Sequence, residues 1–281
     1  MSPCGSRRRS RASSTPPARP STPPDPIDSA SRAEVSRLRS LLRERGARDA
    51  EGRFVVEGPR VVAAALDAGV PLEACFLGPG AGSVERGLVE RAVTGGATVR
   101  VIDRPLGDTV TPQPILAVAP FRRRGLDAMA DVDLTIVAPV LSDPGNVGTL
   151  LRSAAAAGVR AISLGPGSVD AYNPKVVRAS AGACFAVRIV EGVPAVQVLE
   201  NLGERGLRRL AAVARGGVPP EECDLAAPTA FVLGHETRGV GDDLPVDGTT
   251  TLPMAAGESL NAGVAGSILL FEAARQRRGA R

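Results

Sequence analysis

Short apolar segments alternate with helix-forming segments through the second half of this 281-residue chain, beginning at about residue 132. Segments such as 134–139, 161–164 and 230–233 are apolar along most of their length, which is typical of strands buried on both faces. Strands of this kind that are joined by helices form a parallel sheet with helices on both sides. The pattern therefore predicts an α/β domain built on a parallel sheet.

Three segments of this domain break from apolar residues into glycine, proline and small polar residues. They are 143–149 followed by Arg152, 232–236 followed by Gly239, and 252–261. Open α/β sheets place their ligand-binding loops at such strand ends. We therefore expect the three segments to share one pocket. Because no Gly-x-Gly-x-x-Gly follows the first strand, an ordinary dinucleotide-binding fold is disfavoured.

The residue types in these segments suit a nucleotide-like ligand. Gly148 is predicted to begin a helix between Asn146 and Arg152, and the free backbone N–H groups of that helix would face an anion such as RNA phosphate. Gly234 allows the close approach of a flat ligand such as adenine. Ser259 precedes a long apolar segment and is predicted to be the N-cap of the last helix.

Together with segments 54–60 and 172–182, these three segments resemble the motifs of the SpoU/TrmH family of RNA ribose 2′-O-methyltransferases, within the SPOUT class. The resemblance covers nearly the whole chain after about residue 32. It implies a C-terminal SPOUT domain with a trefoil knot and a small N-terminal α/β domain that resembles an RNA-binding ribosomal protein. It also implies S-adenosyl-L-methionine (AdoMet) as cofactor, structured RNA as substrate, and a homodimer in which both subunits complete the site.

The resemblance also assigns roles to individual residues. The catalytic residues that it implies are Asn146, Arg152, Glu236, Ser259 and Asn261. The cofactor-binding residues that it implies are Leu233, Gly234, Glu236, Gly239, Leu252, Pro253, Met254, Ser259 and Leu260. Arg60, Lys175 and Arg178 are the predicted RNA-binding residues. Because a guanidinium group stays protonated in proteins, Arg152 is better suited to clamping a phosphate and stabilising a developing alkoxide than to acting as a general base.

Composition divides the chain into four parts. Residues 1–31 are rich in Ser, Pro and Arg and are predicted to be a disordered tail, because they offer little apolar surface to bury. Residues 32–120 are predicted to be the substrate RNA-binding domain, and 121–131 a linker or short helix that contains Arg122, Arg123 and Arg124. Residues 132–281 are the predicted methyltransferase domain.

Charge, cysteine and histidine content narrow the function classes. The net charge of +4 fits a nucleic-acid partner, and the 2% aromatic content disfavours base-stacking platforms. The four cysteines lack Cys-x-x-Cys spacing, and the only histidine, His235, is interpreted as a structural hydrogen-bonding residue. No apolar run is long enough to span a bilayer. We therefore expect no metal, no membrane association and a cytoplasmic location.

The leading interpretation is AdoMet-dependent methylation of a ribose 2′-hydroxyl in structured RNA. The added N-terminal domain favours 23S rRNA over tRNA as the substrate. Two alternatives stay open, which are a tRNA 2′-O-methyltransferase and a noncatalytic RNA-binding or ribosome assembly factor on the same scaffold. The intact set of implied catalytic residues argues against the noncatalytic alternative. An α/β enzyme of another nucleotide-using class is disfavoured because phosphate-loop fingerprints are missing.

Overall fold

The computed structural model describes residues 27–106, 112–121, 124–234, 239–241 and 243–280. It contains two β-sheets, one in each half of the chain, with helices packed against both. Most of the predicted tail, together with Arg122, Arg123, His235 and Glu236, lies outside the described residues.

The N-terminal half is a small α/β unit built on four strands in the order β1-β4-β2-β3. Strand β4 is antiparallel to β1 and β2, and β3 is parallel to β2. Its elements are α1 (Arg32–Arg43), α2 (Arg45–Glu51), β1 (Arg53–Glu57), α3 (Pro59–Asp67), β2 (Ala74–Leu77), α4 (Ser83–Thr94), β3 (Thr98–Val101) and β4 (Ile115–Pro120). Upstream of α1, Asp28 and Ala30 form backbone hydrogen bonds with Val101, inside the range that was assigned to the tail from sequence.

The C-terminal half is a six-stranded, fully parallel sheet in the order β10-β8-β9-β5-β6-β7. Its elements are β5 (Leu134–Ala138), α5 (Pro144–Ala156), β6 (Ala161–Leu164), α6 (Pro174–Ala179), α7 (Ala183–Ala186), β7 (Arg188–Glu191), α8 (Ala195–Glu204), β8 (Arg208–Ala212), β9 (Thr229–Leu233), β10 (Gly248–Thr250) and α9 (Ala262–Gly279). This confirms the predicted parallel α/β domain. Strand order alone does not establish threading, so the trefoil knot stays a prediction.

The boundary between β5 and β9 divides the sheet into two sets of strands that are added in opposite directions across the sheet. Strands β6 and β7 extend the sheet on one side of β5, whereas β8 and β10 extend it on the other side of β9. Ligands of open α/β sheets bind outside the carboxyl ends of the strands at such a switch point. Two of the three predicted ligand segments lie at or shortly after the carboxyl ends of β5 and β9.

Two helices begin at residues other than those predicted. Helix α5 begins at Pro144 rather than Gly148, because the Asp143 side chain accepts a hydrogen bond from the Asn146 backbone N–H at 2.8 Å and proline suits the first helical position. Helix α9 is capped by Asn261 rather than Ser259, since the Asn261 side chain accepts a hydrogen bond from the backbone N–H of the third helical residue. Asn146 therefore lies in the first turn of a helix instead of in a loop.

The two halves pack against each other through a cluster of aromatic side chains. Phe54 of β1 lies 4.7 Å from Tyr172, and its ring also contacts Phe121 and Phe185. These residues are more than half of the seven aromatic side chains in the chain. Since β1 belongs to the first sheet and Tyr172 follows β6 of the second sheet, aromatic packing joins the two sheets into one core.

Among the described residues, no helix has the combination of length and apolar character that spanning a bilayer requires.

Candidate active site

A cavity of about 510 Å³ opens beside the carboxyl ends of β8 and β9. It is also bounded by the end of β10, the loop that follows β10, and the first turns of α9. The described residues that line it are Ala212, Val213, Ala214, Leu233, Gly234, Gly239, Thr250, Leu252, Met254, Ser259, Leu260, Asn261, Ala262, Ala265 and Leu269. An apolar cavity of this size with a few polar side chains is typical of a site for a small organic ligand or cofactor.

The structure brings the predicted cofactor-binding residues together at this cavity. Every one of them lines it except Pro253 and Glu236. Pro253 lies between two lining residues, Leu252 and Met254, whereas Glu236 is outside the described residues. Two of the three predicted ligand segments, 232–239 and 252–261, thus share one cavity, whereas none of the described residues that line it comes from 143–149.

Gly234 is required by the fold of its own loop. A side chain at this position would overlap the backbone of Gly239 and Val240, because the chain turns back on itself directly after β9. The sequence-based interpretation assigned the absent side chain to the approach of adenine. In the structure the space beside Gly234 is occupied by the returning backbone, so this glycine shapes the wall of the cavity.

Asn146 and Asn261 meet at the edge of the cavity. The Asn261 Nδ2 atom donates a hydrogen bond to Asn146 Oδ1 at 2.6 Å, while Asn261 Oδ1 accepts one from the Val264 backbone N–H at 3.2 Å. Helices α5 and α9 approach closely enough for this contact because α9 carries glycines where they cross. A Cβ atom at Gly263 would lie 2.9 Å from the carbonyl oxygen of Asn146.

Arg152 does not join this group in the subunit described. It is solvent-exposed, it does not line the cavity, and it forms no hydrogen bond or ion pair with any residue that the structure describes. The sequence-based expectation that Asn146 and Arg152 face one cavity is therefore wrong within one subunit. Because both lie on α5, their six-residue separation places them about 120° apart around the helix and about 9 Å apart along it.

The predicted RNA-binding residues lie away from the cavity. Arg60 is exposed in the first turn of α3. Lys175 and Arg178 lie on α6 and line a second cleft. Arg178 is already engaged within the protein, because its Nη1 donates to a carboxylate oxygen of the buried Glu57 in β1.

Several lining residues were missed from sequence. Ala212 ends β8, which is a neighbour of β9 in the sheet, and Val213 and Ala214 follow it. The Gly216–Gly217 pair after β8 interrupts an apolar segment with glycine, as happens in the three segments recognised from sequence. This pair could have indicated a further ligand loop after β8. Ala262 and Ala265 were missed because apolar residues of the last helix were expected to form core or interface, whereas these two line the cavity.

The described side chains that line the cavity are apolar or uncharged polar. Among the described lining residues none carries a charge, and the described parts of the chain hold no group of three or more His, Cys, Asp or Glu residues that suits a metal ion. Burial raises the pKa of the Cys75 and Cys184 thiols to about 11, so neither supplies a thiolate nucleophile near neutral pH. The cavity can bind a partly apolar ligand through backbone groups and the side chains of Thr250 and Ser259.

Comparison with known proteins identifies both halves of the chain. Residues 133–271 match the SpoU rRNA Methylase family, and residues 33–117 match the MRM3-like substrate binding domain. The mouse mitochondrial rRNA methyltransferase 3 is 31% identical in an alignment of length 304 that covers 87% of this chain and 72% of that protein. The 23S rRNA (uridine(2479)-2′-O)-methyltransferase of Streptomyces viridochromogenes is 29% identical in an alignment of length 285 that covers 96% of each chain.

A solved structure has the same architecture. The SpoU methyltransferase AviRb from Streptomyces viridochromogenes, crystallised with AdoMet, superposes with a TM-score of 0.78 and 26% identity. The match covers 88% of this chain and 99% of that chain. The resemblance inferred from the motifs is thereby confirmed. The chain belongs to the SpoU family of RNA methyltransferases, enzymes that use AdoMet as the methyl donor.

Proposed function

We propose that the protein methylates a ribose 2′-hydroxyl of 23S rRNA. The observation that carries this proposal is the hydrogen-bonded pair of Asn146 and Asn261 at the edge of the cofactor-sized cavity. The relative named for 2′-O-methylation of 23S rRNA is similar along nearly its entire length. The match of residues 33–117 to a substrate-binding domain supports an RNA selected partly by the N-terminal half.

The cavity fits AdoMet in size and polarity. Leu233, Leu252 and Leu260 provide apolar walls for an adenine ring, and the Ser259 hydroxyl supplies a hydrogen-bonding group. Bound AdoMet supplies an electrophilic methyl group on a sulfonium. We expect the Asn146 and Asn261 amides to orient the ribose hydroxyl beside the cavity, so that alignment contributes most of the rate enhancement.

Arg152 is proposed to act from the partner subunit of a homodimer. Its guanidinium is exposed and lies outside its own cavity, yet its chemistry suits clamping a phosphate next to the reacting ribose. Helix α9 exposes an apolar stripe formed by Val264, Ile268 and Phe271, which are 42%, 43% and 47% exposed. A stripe at this spacing on one helix face, next to the cavity, supports a symmetric interface.

The test is transfer of labelled methyl from AdoMet to separate pools of unmodified rRNA and tRNA, followed by alkaline hydrolysis. Because a 2′-O-methyl group blocks cleavage of the adjacent phosphodiester, the proposal expects label in alkali-resistant dinucleotides from 23S rRNA. Label in tRNA alone would move the substrate to the tRNA class. Label in mononucleotides would mean base methylation, and no transfer to either pool would support a noncatalytic RNA-binding protein.

A further inference from the structure

A second cleft, of about 540 Å³, lies where α1 of the N-terminal half meets α6 of the C-terminal half. The residues that line it are Arg39, Leu42, Arg43, Pro105, Leu106, Asn173, Pro174, Lys175 and Arg178. Four of these carry positive charge, and no acidic residue is among the described lining residues. Cations from both halves of the chain therefore face one space. This is the interdomain cleft.

The charge of the interdomain cleft is only partly compensated. The side chains of Arg39 and Lys175 are exposed and form no hydrogen bond or ion pair with any part of the chain that the structure describes. Arg178 is paired with Glu57 of β1, and this contact fixes α6 against the N-terminal sheet. Because like charges held together repel one another, the cleft favours an anion that spans both walls.

We infer that the interdomain cleft holds backbone phosphates of the substrate RNA, at a site separate from the cofactor cavity. This inference rests on the proposed function. Phosphate, rather than a base, is the group recognised, since no aromatic side chain is among the described lining residues. Arg39 and Arg43 thereby join Lys175 in RNA binding, and Arg178 also links the two halves.

The position of α6 connects this cleft to the reaction centre. A side chain at Gly148 of α5 would overlap Ala179 of α6, so the two helices are in direct contact. Lys175 lies four residues before Ala179 on α6, which is about 6 Å along the helix. Helix α6, which carries Lys175, therefore packs against α5, which carries Asn146. A phosphate held by Lys175 would have a fixed position relative to Asn146 and to the reacting ribose.

The experiment measures the affinity of the full-length protein, in its native state of association, for a 23S rRNA transcript as a function of KCl concentration. The Arg39→Gln/Lys175→Gln variant is expected to bind about tenfold more weakly at 0.1 M KCl and to lower the slope of log K against log salt by about 1.4 to 1.8, because each phosphate contact contributes about 0.7 to 0.9. Arg86→Gln, an exposed arginine on α4 outside the cleft, and Lys175→Arg, which keeps the charge, are the matched controls.

Wild-type affinity and slope in the double variant would overturn the inference, as would an equal loss in Arg86→Gln. If the double variant fails to fold, the single variants Arg39→Gln and Lys175→Gln test the same contacts. AdoMet affinity and the melting temperature report folding and are expected to be unchanged. Methyl transfer by the wild-type protein is measured separately: transfer with an unchanged salt slope refutes the cleft alone, whereas salt-dependent binding without transfer refutes the proposed function alone.

Discussion

The oxygen and the nitrogen of the Asn261 side-chain amide form two different contacts. The oxygen caps α9 by accepting a hydrogen bond from Val264, and the nitrogen donates to Asn146 on α5. The first contact stabilises the helix, while the second orients the amide that faces the proposed ribose site. Stability and catalysis can therefore be separated at this residue by choosing a substitution that keeps only the cap.

Asn261→Ser is such a substitution. Serine is as effective an N-cap as asparagine, so the free energy of unfolding is expected to stay within about 1 kcal/mol of the wild-type value. Serine has no amide to reach Asn146, so kcat for methyl transfer is expected to fall about 10- to 100-fold. Urea unfolding and single-turnover methyl transfer measure the two effects. A wild-type kcat in Asn261→Ser would show that the contact between the two asparagines is structural.

Gly234 and Gly241 form a matched pair of glycines in the loop region after β9. A methyl group at Gly234 would overlap the backbone of Gly239, whereas one at Gly241 meets no described atom within 4 Å. Gly234→Ala is expected to cost about 1–3 kcal/mol of stability and to weaken AdoMet binding at least tenfold, because the returning loop must shift. Gly241→Ala is expected to leave both unchanged. Equal AdoMet affinities in isothermal titration of the two variants would contradict the assigned role of Gly234.

At the scale of elements, a buried ion pair joins α2 to the segment that precedes α6. Arg48 and Asp170 are 2% and 6% exposed, and two guanidinium nitrogens contact the same carboxylate oxygen at 2.6 and 2.8 Å. Arg48 also donates to the carbonyl of Leu41, and Asp170 accepts from the backbone N–H of Tyr172. The pair therefore links the C-terminal half to two helices of the N-terminal half.

Asp170→Ala is expected to destabilise the protein by about 3 kcal/mol or more, because it leaves the Arg48 charge buried without its partner. The control is Arg91→Ala, which breaks an exposed ion pair with Asp67 and is expected to cost less than about 1 kcal/mol. Denaturant unfolding gives both values. A loss of similar size in the two variants would mean that the pair between the halves does not stabilise their packing.

Element order and sheet type were predictable from sequence, but two helix starts were not. The apolar runs at β5, β6 and β9 indicate a parallel sheet because burial on both faces leaves no polar alternation. The starts of α5 and α9 depend instead on which polar side chain caps the helix. Ser259 was a plausible rival of Asn261 as the cap of α9, whereas the start of α5 was assigned to Gly148 instead of Pro144, which left Asn146 in a predicted loop.

From the sequence, only those cavity-lining residues could be predicted that belong to one of the recognised glycine- and proline-containing segments. Gly234, Met254 and Ser259 belong to recognised segments and line the cavity. Ala212 and Thr250 enter it only because β8 lies beside β9 in the sheet and β10 lies beside β8. The interdomain contact between Arg48 and Asp170 spans 122 positions and has no local sequence pattern at all.

At the scale of the whole molecule, the apolar stripe on α9 predicts the state of association. Ile268→Glu is expected to convert a dimer into a monomer, because it places a charge at the centre of the proposed symmetric interface. Val84→Glu on α4, at a residue that is 64% exposed, is the matched control and is expected to leave association unchanged. Sedimentation equilibrium measures both. A wild-type molecular mass for Ile268→Glu would exclude this stripe as the interface.

Because Arg152 lies outside the cavity of its own subunit, its proposed role in catalysis requires a dimer. If the partner supplies Arg152, one active site combines Asn261 of one chain with Arg152 of the other. A heterodimer of an Arg152→Ala chain and an Asn261→Ser chain then keeps one intact site, because both changes fall in the other site. This heterodimer can be purified through a different affinity tag on each chain. It is expected to show about half of the wild-type methyl transfer activity, although each of the two homodimers is nearly inactive.

An arrangement within one subunit gives the opposite result. Each site of the heterodimer would then carry one substitution, and the activity would be as low as in the two homodimers. The melting temperature of the heterodimer excludes misfolding as the reason for such a loss. Since Arg152 lies on α5 about 120° around the helix from Asn146, we expect the arrangement across two subunits. Association would then be a requirement for catalysis, and the Ile268→Glu monomer would bind AdoMet without transferring its methyl group.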